Sequence, residues 1–99
     1  MSLVIAFHRA ASAEFIAASG WYENKRQGLA LAFMAEIDRC VLQAAEQPLQ
    51  YAIVHQDIRR AVVRNFPYNV YFRLEPQRIV VLAVFHSRRN PDVWRGRVK

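Results

Sequence analysis

Hydrophobic residues in the first half of the chain recur at three- and four-residue steps, the spacing of helices that bury one face. An apolar run at residues 3–8 is typical of a short strand. The pattern then predicts one helix over residues 12–25, capped by Ser12, and a second over residues 29–47. Because a short glycine-containing turn joins the two helices, we expect an antiparallel helical hairpin.

The second half of the chain alternates with the two-residue period of β-strands. Residues 58–66 predict one strand, which ends at Pro67 because proline cannot donate to a strand ladder. In the following strand, the apolar set is Tyr68, Val70, Phe72 and Leu74. The residues that alternate with it are Asn69, Tyr71, Arg73 and Glu75. We therefore expect the helices to cover the first set and the second set to lie on an open face of the sheet.

The remaining segments complete the order of elements. Residues 78–86 are apolar at both odd and even positions, which favours an interior strand, whereas residues 49–57 show no period and are expected to form a connection. Asn90-Pro91 predicts a turn, and Pro91 could open a short terminal helix. The sequence thus predicts a single domain, residues 1–99, of the α+β class: β-α-α-β-β-β, with a helical hairpin packed on one face of a mainly antiparallel sheet.

Charge is distributed unevenly along this chain of 99 residues, whose formal net charge is +6. Residues 1–57 hold four basic and six acidic side chains, whereas residues 58–99 hold ten basic and two acidic ones. Nine of those ten cations are arginine, which binds phosphate and carboxylate groups in a bidentate manner. The second half therefore favours a nucleic acid, an acidic protein or both as a partner.

Several classes of site have no support in the sequence. It contains no paired cysteines, no histidine pair at metal-ligand spacing and no glycine-rich phosphate or dinucleotide motif, so we expect neither a metal nor a cofactor. No apolar run approaches the ~20 residues of a membrane span. Cys40 is expected to be a buried thiol of the second helix, and since no export signal is evident we expect a cytoplasmic protein.

What remains as candidate chemistry is a set of cationic and aromatic side chains in the last two-fifths of the chain. Its members are Arg60, Arg64, Tyr71, Arg73, His86, Arg88, Arg89, Trp94, Arg95 and Arg97. Such a set can bind phosphates electrostatically, with aromatic stacking on bases. It could also cleave RNA without a metal, with arginines stabilising the phosphate and His86 acting as general acid or base. His86 could equally be a polar residue that ends a strand and anchors the tail.

Two segments of the second half together resemble a known family. From Arg60 to Phe72 the chain has the pattern R-x-x-x-x-x-F-P-Y-x-V-Y-F, and from Leu82 to Trp94 it has L-A-V-x-H-x-x-R-x-P-x-x-W. In combination they are similar to the RelE/ParE superfamily of toxins from bacterial type II toxin–antitoxin modules, often called plasmid stabilisation proteins. The resemblance extends over nearly all of the chain and implies the same order of strands and helices as the periodicity does.

The resemblance implies a growth-inhibiting toxin that a small co-encoded antitoxin wraps and neutralises in a hetero-oligomeric complex. RelE-like members are endoribonucleases that cleave mRNA on the ribosome, whereas ParE-like members poison DNA gyrase without being enzymes. The ParE-like branch is favoured because the local patterns F-P-Y and V-F-H-S-R-R-N-P resemble that branch more closely, and for two further reasons. Asn69 follows Tyr68, where RelE-like enzymes typically carry an arginine, and Trp94 occupies the tail position of their catalytic tyrosine.

Each interpretation assigns roles to an overlapping set of residues. A metal-independent, RelE-like endoribonuclease would use His86, Arg64 and Arg88 for catalysis. A ParE-like toxin would bind its target through Arg60, Arg64, Arg73, Arg88, Arg89, Trp94 and Arg97. A third interpretation is an inactive relative that acts as a binding module or transcriptional co-repressor. For all three, the antitoxin would use the helical hairpin, the sheet edge and the basic face.

Overall fold

The computed structural model describes residues 3–98 and consists of a five-stranded sheet, a helical hairpin and a short C-terminal helix. The strands are β1 (Val4–Phe7), β2 (Ile53–His55), β3 (Ile58–Val62), β4 (Tyr68–Leu74) and β5 (Arg78–His86). The α-helices are α1 (Arg9–Lys25), α2 (Leu29–Glu46) and α3 (Asp92–Arg95), and a 3₁₀ turn covers Pro48–Gln50. The strand order is β1-β5-β4-β3-β2, so β5 lies in the sheet interior as predicted.

Neighbouring strands are antiparallel except β1 and β5, which run parallel. The predicted α+β class, with a helical hairpin packed on a mainly antiparallel sheet, is therefore confirmed. The prediction of a connection over residues 49–57 is wrong in part, because Ile53–His55 forms the edge strand β2. This strand has three residues and a shifted register against β3, so it is too short to show a period in the sequence.

The first helix begins earlier than the sequence predicts, and its cap is His8 rather than Ser12. His8 has extended backbone angles, and its Nδ1 accepts a hydrogen bond of 3.1 Å from the N–H of Ala10. The N–H of Ser12 donates to the carbonyl of His8 within the first turn. The N–H of His8 also donates to the carbonyl of Val81 in the sheet, so the chain passes from β1 into α1 without a loop.

The predicted helical hairpin and the buried stripe of the second helix are confirmed. Gly28 supplies the turn with a φ of 86°, which favours glycine, and the Glu23 carboxylate accepts hydrogen bonds from the N–H groups of Gly28 and Ala30 at the start of α2. Cys40 is buried on this stripe, as predicted. Burial, and then the negative charge of Glu36, raises the pKa of its thiol to about 11.

The face of the sheet that packs against α1 and α2, here called the helical face, carries the larger hydrophobic cluster. Val70 and Phe72 of β4 lie on it, as their alternation predicts. In β5, the alternation between the two faces shifts by one residue at a bulge. Phe72 lies opposite Val81 and Tyr71 opposite Ala83, so Leu82 of β5 has no partner in β4. Val81 precedes the bulge on the helical face, and Val84 follows on the same face, so the bulge explains why both odd and even positions of β5 are apolar.

The opposite face, here called the tail face, is not open, and that expectation is wrong. Trp94 of α3 is 1% exposed and stacks on Tyr71, with ring centroids 4.1 Å apart and planes at 19°. The rest of this second hydrophobic cluster consists chiefly of Ile58, Leu82, Ala83 and Phe85. Alternation along β4 identifies which side chains share a face, but it cannot show that a residue near the end of the chain returns to cover them.

Candidate functional site

Glu14 lies at the centre of the densest polar network among the residues that the structure describes. It projects from the second turn of α1 and is only 12% exposed. Its Oε1 accepts hydrogen bonds from the N–H of Val84 at 3.1 Å and from Arg97 Nη1 at 3.0 Å. Its Oε2 accepts from Arg89 Nη1 at 2.7 Å and from Arg97 Nη2 at 2.8 Å. Arg97 therefore binds the carboxylate in the bidentate geometry that gives the strongest ion pairs.

Two arginines predicted to bind a target, Arg89 and Arg97, are thus bonded to a carboxylate of the same molecule. The Arg97 side chain is 14% exposed and also donates to the carbonyl of Leu82 at 2.9 Å. Arg89 is more exposed, and its guanidinium lies 4.5 Å from the centre of the Phe85 ring. No local pattern marks this network in the sequence, because Glu14 lies 70 positions before Val84 and 83 positions before Arg97.

Arg73 is also paired, at the other end of the tail face. Its Nε donates to Asp57 Oδ2 at 2.9 Å. This hydrogen bond holds the pKa of the Asp57 carboxyl below its ordinary value. The pair is well exposed, since 59% of the Asp57 side chain is accessible, and it therefore tethers the start of β3 to β4 only loosely.

Arg95 lies 3.7 Å from Asp92 Oδ1. The remaining predicted arginines, Arg60, Arg64 and Arg88, are exposed, and none of the three has a carboxylate within ion-pair distance among residues 3–98. Arg60 lies opposite Tyr71 and therefore on the tail face. Arg64 follows β3, and Arg88 lies in the turn after β5. Unpaired guanidinium groups keep their full capacity to bind phosphate or carboxylate, so Arg60, Arg64 and Arg88 are the cations best suited to contact a partner.

His86 lies on the helical face, opposite Tyr68 in the sheet register. The two rings pack edge to face with centroids 5.3 Å apart, and His86 Nδ1 accepts a hydrogen bond of 3.1 Å from the N–H of Arg88. Arg60 lies opposite Tyr71, three positions from Tyr68 along β4, and is therefore on the other face. The structure does not bring the predicted histidine and this arginine together.

A pocket of about 530 Å³ opens beside His86, between α1 and the adjoining ends of β4 and β5. Its walls include Trp21, Tyr22 and Tyr68, and Glu14 and Arg89 lie at its polar side. Burial raises the pKa of the Tyr68 hydroxyl, so this phenol is protonated at neutral pH. An apolar pocket with a few polar groups suits an anchoring side chain of a protein partner. Sequence reasoning missed this pocket because its walls come from three separate elements.

The described residues provide no other obvious chemistry. Within residues 3–98, no group of three or more His, Cys, Asp or Glu side chains could hold a metal ion. No helix in that range is long and apolar enough to cross a membrane. Trp94, predicted to bind a target, has almost no free surface in this arrangement and instead completes the cluster on the tail face.

Comparison with known proteins connects these features to a family. A chain of the chromosomal ParDE toxin–antitoxin system from P. aeruginosa superimposes with a TM-score of 0.75 at 19% identity, over 86% of this chain and 96% of the other. A chain of the RelBE2 toxin–antitoxin complex from Mycobacterium tuberculosis has a TM-score of 0.60 at 15% identity, over 87% of this chain and 99% of the other. No curated protein matches the chain.

The sequence itself carries the assignment, since structural likeness at such low identity shows the fold alone. The model of the ParE toxin of the type II toxin–antitoxin system ParDE matches residues 5–91, which extends from β1 to the turn before α3. The chain therefore belongs to the ParE toxin family of type II toxin–antitoxin systems.

Proposed function

We propose that this protein is a cytoplasmic toxin that inhibits growth by binding and poisoning DNA gyrase, and that a cognate antitoxin neutralises it. Membership of the ParE toxin family supports the proposed role as a toxin that acts on gyrase. The structural neighbours come from toxin–antitoxin systems, which supports neutralisation by a cognate antitoxin. Gyrase inhibition requires a binding surface and no reaction at the toxin itself.

The choice of gyrase over RNA cleavage rests on the match to the ParE toxin family and on Trp94, which stands at the tail position of the catalytic tyrosine of RelE-like enzymes and is buried. Cleavage without a metal needs an acid or base and a cationic group in contact with one phosphodiester, in near-attack geometry. His86 packs against Tyr68 on the helical face with Arg88 beside it in the chain, whereas Arg60 lies on the tail face. Trp94 also provides no ionisable hydroxyl. A binding surface does not require these groups to converge.

The proposed target-binding surface consists of those predicted target-binding arginines that are exposed and have no carboxylate partner in the described range, namely Arg60, Arg64 and Arg88. Arg73, Arg89 and Arg97 already bind Asp57 and Glu14, so a target would have to compete with those carboxylates. We expect the three unpaired arginines to contribute most of the electrostatic attraction to an acidic target.

We expect the proposed antitoxin to contact a second surface besides the target-binding arginines. The pocket beside His86 is suited to anchor it there. Its aromatic walls suit an apolar side chain of an amphipathic antitoxin segment, while acidic residues of that segment would meet the basic second half of the toxin. The expected product is a hetero-oligomer in which the toxin's arginines are neutralised.

The experiment is a gyrase supercoiling assay with purified toxin free of antitoxin. We expect inhibition that the antitoxin reverses, and at least about tenfold weaker inhibition after Arg60, Arg64 and Arg88 are all replaced by alanine. Arg78→Ala is the matched control, because Arg78 is an exposed strand arginine already paired with Glu75. Normal supercoiling at every toxin concentration would reject the proposal.

Ribosome-dependent mRNA cleavage is the alternative, since a RelBE system also provides a structural neighbour. Primer extension on mRNA from induced cells distinguishes the two functions. New cuts within translated codons, lost in His86→Ala, would establish RNA cleavage and overturn the gyrase proposal. Normal growth on induction, with neither effect, would leave the interpretation of an inactive binding module or co-repressor.

A further inference from the structure

β1 stops after Phe7 while β5 continues to His86, so the second half of one edge of β5 has no strand beside it. The last paired position is Phe7 opposite Val81, where the N–H of His8 donates to the Val81 carbonyl. An edge of this kind leaves backbone N–H and C=O groups without ladder partners and can pair with another chain.

Two side chains take the place of the missing strand. The Val84 N–H donates to Glu14 Oε1 at 3.1 Å, and the Leu82 carbonyl accepts from Arg97 Nη1 at 2.9 Å. Glu14 and Arg97 are also bonded to each other. The pair therefore satisfies one donor and one acceptor of the bare edge, as two residues of a neighbouring strand would.

The same carboxylate holds the C-terminal tail, residues 87–98, at two points. Arg89 precedes α3 and Arg97 follows it, and both bind Glu14. Because the two arginines flank the helix, their common partner fixes the segment that carries Trp94 against Tyr71.

We propose that Glu14 is a positioning residue for the C-terminal tail: Glu14, Arg89 and Arg97, here called the Glu14 clamp, hold the tail, and Glu14 and Arg97 of this clamp close the bare edge of β5 in place of a strand. Glu14 and Arg97 are 12% and 14% exposed, so solvent screens their attraction far less than that of an exposed pair. The Arg78–Glu75 pair, with 51% and 32% of its side chains exposed, provides the contrast.

The test uses the full-length purified protein and two measurements: hydrogen exchange at the Val84 amide, and the rate of trypsin cleavage after Arg95. In Glu14→Gln the side-chain oxygen can still accept from Val84, but the charge that holds both arginines is gone. We expect cleavage about tenfold faster, with Val84 still protected. In Glu14→Ala we expect cleavage after Arg95 and hydrogen exchange at the Val84 amide each to be at least about tenfold faster. Glu75→Gln, the matched control, should change neither.

The proposal would be overturned if tail cleavage and Val84 exchange had the same rates in Glu14→Ala, in Glu75→Gln and in the unmodified protein. If Glu14→Ala does not fold, Arg97→Gln replaces it, since Glu14 keeps its bonds to Val84 and Arg89 in that variant. Faster tail cleavage with Val84 still protected supports the clamp. A tail cut no faster than in the unmodified protein overturns it.

Only the effect of the clamp on toxicity rests on the proposed function, and the same variants separate the two. A released tail with reduced gyrase inhibition supports both the clamp and target binding through the tail. A released tail with unchanged inhibition supports the clamp and removes the tail from the target-binding surface. Inhibition lost while the tail stays protected would overturn the positioning role of Glu14.

Discussion

The two faces of the sheet are covered by very different lengths of chain. On the helical face, α1 and α2 contribute 17 and 18 residues, and burial is spread over both helices and four strands. On the tail face, a four-residue helix supplies one large side chain, Trp94, and the Glu14 clamp holds it. Many contributions secure the first face, whereas the second depends on a few residues, so we expect the tail face to open at a lower free energy than the helical face.

The largest effect should come from the helical face. Phe33 is 0% exposed and its ring contacts those of Tyr22, Phe66 and Tyr68. Phe33→Ala should lower the free energy of unfolding by about 3–5 kcal/mol, because it removes buried surface and leaves a cavity. Urea unfolding followed by circular dichroism measures this. Leu31→Ala is the control on the same helix, since Leu31 is 73% exposed and its loss should change stability by less than about 0.5 kcal/mol.

A smaller effect is expected on the tail face. Trp94→Ala should lower the free energy of unfolding by about 2–3 kcal/mol, below the usual range for a buried tryptophan, because a short helix near the chain end can relax. Val93→Ala, an exposed position of the same helix, is the control. The measurement is urea unfolding under the same conditions as for Phe33→Ala. A loss greater than that of Phe33→Ala would contradict the view that the tail face is the less secure.

The smallest effect concerns the exposed Asp57–Arg73 pair. The native pKa of Asp57 lies below its unfolded value, so the pair stabilises the fold above the unfolded pKa of about 4 and loses this contribution as the pH falls through the native pKa. Solvent screening limits the gain to about 0.2–1 kcal/mol. Urea unfolding of the unmodified protein and of Asp57→Asn should differ by that amount at pH 7, and the difference should shrink as the pH falls below about 4. A difference that grows on acidification would contradict the assigned sign.

Most of the helical face could be predicted from the sequence, because its signals are local. The stripe of α2 and the alternation of Val70 and Phe72 along β4 each lie within one element, where hydrophobic period indicates the buried side. The exceptions are also local in cause. His8 replaced Ser12 as the helix cap because β1 ends directly before it, and β2 was missed because three residues carry no measurable period.

Little of the tail face or of the candidate site could be predicted, because the contacts join residues far apart in the chain. Glu14 meets Arg97 at a sequence separation of 83 positions, and no local pattern marks such a pair. Charge counting correctly located the cations but could not show which of them an internal carboxylate neutralises. Arg60 and Arg97 look alike in the sequence, yet only Arg97 is bonded to an acidic residue within the described part of the chain.

The bulge at Leu82 has a consequence for how such a fold could diversify. Were the ladder regular through Leu82, Phe85 would lie opposite Tyr68, and His86 would turn to the side of the sheet that carries Arg60. A one-residue slip in strand pairing could therefore bring an imidazole and a guanidinium together without changing either residue. Two homologous chains with the same functional side chains can thus differ in chemistry through their register alone, and alignment of residue identities would not reveal the difference.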